Sequence, residues 1–138
     1  MRLLSLLSFP LCSRSFANSF QLSVLARSRV NLAMTSSNDT DATFGKFKID
    51  AMNIFYRSEH SLAFVNLRPI VPGHVLVIPK EPNALLSAIP ENAYDDLWRT
   101  VRKVQSALKD HYDATAFNVA VQDGRAARQT VSHAHVHN

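Results

Sequence analysis

Between residues 44 and 137 the spacing of the apolar residues changes twice, and those changes set the fold class. IFY (54 to 56), SLAFVN (61 to 66) and HVLVIP (74 to 79) are β-branched or aromatic runs separated by RSEH and RPIVPG, the pattern of consecutive antiparallel strands. Over residues 91 to 112 the period becomes helical: Tyr94, Leu97, Trp98, Val101, Val104 and Leu108 recur at spacings of three and four. Pro90 suits the first helical position, Glu91 the positive end of the helix dipole and Lys109 its negative end. TAFNVAVQDG (115 to 124) returns to strand character and closes on Asp-Gly, a turn signal. The expectation is an α+β domain, an antiparallel sheet of four to five strands with one long amphipathic helix.

Charge needs locating before it is interpreted. The net charge is +4, and Arg2, Arg14, Arg27 and Arg29 supply it from residues 1 to 38, a Ser- and Leu-rich stretch without Asp or Glu. Such an acid-free, cationic start suits an organellar transit peptide, for mitochondrion or plastid. LLSLLSFPLC (3 to 12) is the apolar run of a rival secretory signal, and initiation at Met34 would give a cytoplasmic form. Residues 1 to 43 are therefore read as targeting segment and polar linker, and residues 44 to 138 as the domain. Residues 39 to 138 balance their acids and bases, and Tyr94 and Trp98 belong to the apolar stripe, which argues against nucleic acid. No run is long enough for a membrane span, and the single cysteine, Cys12, can form no intramolecular disulfide.

The chemistry sits in SHAHVHN, residues 132 to 138. In a strand His133, His135 and His137 share one face while Ala134 and Val136 pack on the other. A row of imidazoles can share a zinc ion, or it can handle phosphate as nucleophile and donor. Zinc would call for further ligands, and only His60, His74 and His111 remain as distant candidates.

QTVSHAHVH, with NLRPIVPGHVLVIP and VQDG upstream, resembles the histidine triad family, and specifically its fragile histidine triad branch, over residues 44 to 137. The resemblance implies a hydrolase of dinucleoside polyphosphates, with diadenosine triphosphate cleaved to AMP and ADP through a nucleotidyl-histidine, and adenylylsulfate or nucleotide phosphoramidates as other substrates. It implies His135 as the nucleophile, His137 as phosphate contact acting through its protonated form, and His133 and His74 as supporting residues. Asn66 would bind the nucleoside, Gln122 the phosphate bridge or leaving group, and Gln129, Thr130 and Val131 the phosphate oxygens. Magnesium or manganese would accompany the substrate, with no tightly bound cofactor, and the family implies a homodimer. A nucleotide-binding signalling module and a zinc protein are the competing readings.

Two positions depart from the family pattern. Arg128 stands where glycine is usual, adding a cation or crowding a loop that needs positive φ, and Phe47 replaces a polar residue, favouring packing or stacking. The sequence also stops at Asn138, where relatives continue the strand, so the groups beside His137 are expected to fray, with weaker catalysis and dimerisation.

Overall fold

The computed structural model describes residues 40 to 138, so the expected targeting segment lies outside the described residues. The chain opens with a hairpin of β1 (Ala42–Phe44) and β2 (Phe47–Ile49), turning at Gly45 with φ +57. β3 (Ile54–Arg57), β4 (Ser61–Val65) and β5 (Val75–Pro79) follow, then α1 (Glu91–Tyr112), β6 (Ala120–Val121) and β7 (Val136–His137). The five-stranded sheet runs β3-β4-β5-β7-β6 with every pair antiparallel. The α+β architecture is as expected, with the small β1-β2 sheet added.

Three local expectations change. Pro90 is the N-cap, one residue before the helix. This fits its extended backbone, which a helical φ/ψ pair at that position would not. The predicted strand over residues 115 to 124 reduces to Ala120–Val121, because only those two residues pair with β7 at the sheet's outer edge. The linker expected to end at residue 43 already holds β1.

Both faces of the sheet are covered. Leu97, Val101, Val104 and Leu108 of α1 pack with Ala63, Val75, Val77, Ala134 and Val136, forming the main core. Tyr94, expected on that stripe, is exposed at its rim, and Thr100 is buried instead. The opposite face carries Phe44, Ile49, Ile54, Leu62, Phe64, Leu76 and Ile78, closed by the β1-β2 hairpin. β7 covers only Val136 and His137, but the alternation holds upstream of it: Ala134 and Val136 pack on the helix side, while His133 and His135 meet Phe44 of the hairpin.

Candidate active site

Each histidine of the row is held differently. His133 is fully buried, and both ring nitrogens are engaged: the Gly45 N–H donates to Nδ1 at 3.2 Å, and Nε2–H donates to the Pro79 carbonyl at 2.9 Å. Burial pushes its pKa down, chiefly by desolvation, and the neutral Nε2–H form is the one these partners select. No lone pair is left for a metal. Among the described residues no three His, Cys, Asp or Glu side chains are placed to hold an ion, so the three-histidine zinc cage is not built.

His135 donates from Nδ1 to the His133 carbonyl oxygen at 2.8 Å. That bond puts its proton on Nδ1 and leaves the lone pair on Nε2, the arrangement a nucleophilic imidazole requires. The Phe44 ring meets it edge-on at 5.0 Å between centroids, and meets His133 at 5.6 Å. An apolar wall thus fixes the ring without competing for Nε2.

His137 sits 5.0 Å from His135, centroid to centroid, in an edge-to-face arrangement. Its Nδ1 lies 2.9 Å from His74 Nε2, while the Ile70 N–H donates to His74 Nδ1 at 3.2 Å. An Nδ1 that accepts places the His74 proton on Nε2, where it is donated to His137. His137 then carries its own proton on Nε2, outward as a donor. Burial, His135 and His74 together lower its pKa to about 4. Near pH 7 the ring is therefore neutral, which corrects the expected cationic role: it offers a neutral N–H instead.

Asn66 follows β4 and does two things at once. Its Oδ1 accepts from the Arg68 N–H, a turn contact, and its Nδ2 lies 3.2 Å from the same His74 nitrogen that bonds His137. With His74 Nε2 carrying the proton donated to His137, the Asn66 Nδ2 finds no lone pair there, so this contact is a close approach and not a hydrogen bond. Gln122 is half-buried just beyond β6, and its amide makes no hydrogen bond among the described residues.

Gln129 was expected to meet phosphate, but its amide ties protein to protein. Oε1 accepts from the Gly124 N–H at 3.0 Å and Nε2 donates to the Ala84 carbonyl at 2.7 Å. Thr130 is exposed, and Val131 is half-buried against the Phe44 cluster. Phe47 is half exposed, with the Lys46 ammonium 5.5 Å from its ring centroid. Arg128 adopts φ 66, ψ 28, so the left-handed corner expected from a family glycine is present, with a Cβ in it.

Asn138, where fraying was expected, is hydrogen-bonded at both backbone groups. Its N–H donates to the Val75 carbonyl and the Val75 N–H to its own, both at 3.0 Å, and its Nδ2 reaches the Val101 carbonyl at 3.3 Å. The backbone beside His137 is anchored to β5 and α1.

Sequence reasoning missed three positioning groups. Gly45, the Pro79 carbonyl and the Ile70 amide act through backbone atoms, and only Gly45 left a trace, as a turn former between ATF and FKI.

Residues 48–138 match the family model described as HIT domain. The chain is 47% identical over 94 residues to the asymmetrical bis(5'-nucleosyl)-tetraphosphatase of Schizosaccharomyces pombe, covering 68% of this chain and 51% of that protein. It is 41% identical over 102 residues to the bifunctional bis(5'-adenosyl)-triphosphatase/adenylylsulfatase FHIT of Arabidopsis thaliana, covering 74% of this chain and 57% of that one. The chain therefore spans about half the length of these curated relatives. The crystal structure of the Caenorhabditis elegans NitFhit protein superposes with a TM-score of 0.72 at 36% identity, covering 87% of this chain and 31% of that one. With the matched segment spanning the sheet, the helix and all three histidines, the chain belongs to the HIT domain family.

Proposed function

We propose that the chain is a hydrolase of dinucleoside polyphosphates that works through a covalent nucleotidyl-histidine on His135. The observation that carries this is the Nδ1–H bond to the His133 carbonyl, which leaves Nε2 with a lone pair beside a neutral N–H donor on His137. In the first step Nε2 attacks the α-phosphorus of diadenosine triphosphate. A P–N bond forms, the P–O bond to ADP breaks, and His137 steadies the oxygens by hydrogen bonding. Water then cleaves the P–N bond, releasing AMP and restoring neutral His135. The Arabidopsis relative's name supports this substrate, and its adenylylsulfatase activity supports adenylylsulfate as a second one, since both offer an adenylyl group with a good leaving group.

In this reading Asn66, next to His74, binds the nucleoside, and Gln122, whose amide is uncommitted, binds the phosphate bridge. Magnesium or manganese travels on the polyphosphate oxygens. Chelator should lower turnover and added magnesium should restore it. The exposed Phe117 and Val119 beside edge strand β6 support a second copy as partner. Light scattering of the full chain at a dimer mass would agree, and a monomer at working concentration would not. Among the described residues no helix is long and apolar enough to cross a membrane. For the N-terminal segment we propose organellar import, which a tagged full-length chain in the cytoplasm would contradict.

The deciding experiment is mass spectrometry after brief incubation with diadenosine triphosphate. An adenylyl adduct on His135 and loss of turnover in His135→Asn are expected. Tight binding with neither adduct nor turnover would leave the binding module as the correct reading.

A further inference from the structure

Tyr112 is the last residue of α1, and the helix end that carries it is well fixed. Asp113 turns into the left-handed region at φ 52, and the N–H groups of Asp113 and Ala114 both return to the Lys109 carbonyl. A helix closed in this way gives its last side chain a defined position. The Tyr112 ring packs on the main core, and His111 meets it edge-on at 4.6 Å between centroids.

The ring also meets the turn before β5. The His74 N–H donates to the Val71 carbonyl at 3.1 Å, with Pro72 and Gly73 between them and Gly73 at φ +86. That is the pattern of a type II turn, in which proline sets the first corner and glycine the second. A Cβ at Gly73 would lie 3.0 Å from Tyr112 Cε2 and 3.1 Å from Cδ2, so the ring occupies the space a side chain would need. The loop's own apolar side chains hold it little, since Leu67 is 87% exposed, Ile70 85% and Val71 59%.

His74 sits where this turn meets β5. Downstream, Val75 is paired with Asn138 through both backbone groups. Upstream, the turn brings residue 70 back over the imidazole, so that the Ile70 N–H reaches Nδ1 at 3.2 Å while Nε2 lies 2.9 Å from His137 Nδ1. A turn free to swing would release that amide, and with it the tautomer that makes His74 a donor. Side chains of a site have to be held to within about 0.5 Å, and the strand secures only one side of His74.

We propose that Tyr112 is a positioning residue for the site, its ring filling the space beside Gly73 and so holding the turn that aims His74 at His137. Its effect runs through His74. This deepens the function proposed above and rests on it for the consequence in turnover.

The test uses the full chain with Tyr112→Leu, which keeps apolar bulk without a flat ring, and with Tyr112→Phe, which keeps the ring. Proton–nitrogen NMR follows the His74 Nε2–H without substrate. Tyr112→Leu should speed its exchange with solvent about tenfold, and Tyr112→Phe should leave it within about twofold of the parent chain. With diadenosine triphosphate, Tyr112→Leu should lower kcat about three- to tenfold with little change in KM, and Tyr112→Phe should retain turnover. Combined with His74→Phe, Tyr112→Leu should lower kcat no further, whereas a residue acting only on general stability would add its full effect. Unchanged proton exchange in Tyr112→Leu overturns the proposal, as does additivity with His74→Phe or a Tyr112→Phe chain as impaired as Tyr112→Leu. Because the proton is read without turnover, that failure is separate from the failure of the His135 mechanism, which the adduct experiment decides.

Discussion

The two ends of the histidine row are built on different principles. At one end His133 and His135 are held by backbone atoms, from Gly45, Pro79 and residue 133 itself. At the other end His137 leans on a second imidazole, His74, which leans in turn on the Ile70 amide in a loop whose Leu67, Ile70 and Val71 are exposed. The difference teaches how the site divides its tasks. Backbone groups have fixed chemistry, so the nucleophile's tautomer does not depend on pH through its partner. The imidazole pair can titrate, so acid breaks the His74–His137 hydrogen bond by protonating the accepting Nδ1.

The fixed end should show the largest effect when broken. His133→Ala removes a fully buried ring, a donor for Pro79 and an acceptor for Gly45. Cavity and unmet polar groups together should destabilise by about 3 to 5 kcal/mol. Urea unfolding measures this; a loss under about 1 kcal/mol would mean that His133 is not the pillar of this end.

The titratable end should respond to pH. His137 has a folded pKa of about 4 against an ordinary value of 6.5, and burial lowers His74 in the same direction. Between those values the unfolded chain binds the proton that the folded chain refuses. Stability is therefore unaffected above pH 6.5, falls as pH drops toward 4 and levels off below it. The loss is on the order of 2 to 3 kcal/mol, less what solvent screening removes. His137→Gln should flatten this part of a stability-against-pH curve, and an unchanged slope would show that the acid sensitivity lies elsewhere. Replacing His74 with Phe removes the donor to His137 Nδ1 and should lower kcat about tenfold, with a changed acid limb and little change in KM.

Much of this architecture was legible in the sequence, for physical reasons. Residues 91 to 112 showed helical spacing because one face of α1 packs on a continuous core, and the histidine alternation held because Ala134 and Val136 pack against that helix. Residues 115 to 119 misled, since strand-like composition does not supply a partner, and only Ala120–Val121 find one on β7. The tautomers were invisible because carbonyls and amides set them, and every residue carries those. Gln129 misled in the opposite sense: a side chain suited to phosphate is here bound to Ala84 and Gly124.

Gly45 tests the fixed end from outside the row. At φ +57 a Cβ would lie 2.6 Å from Val131 Cγ1, so Gly45→Ala combines left-handed strain with a clash and pulls the amide from His133. The expected loss is about 2 kcal/mol, with His133 exposed to faster proton exchange by NMR. A neutral effect on both would show that the hairpin does not hold the histidine.

The smallest expected effect has the opposite sign and comes from the second left-handed corner, Arg128. Glycine there relieves the φ 66 strain but adds freedom to the unfolded chain, and the two terms leave a net gain of about 0.5 to 1 kcal/mol. For a domain of this size that is a rise in Tm of about 2 to 6 °C. Arg128→Ala separates the causes, since it discards the guanidinium yet keeps the Cβ, and it should leave Tm near that of the parent chain. If alanine and glycine stabilise equally, the guanidinium itself is unfavourable and the strain is negligible. If only glycine stabilises, the strain at φ 66 is real, and this corner, like Gly45, is one where backbone conformation and not side-chain contact sets the energy.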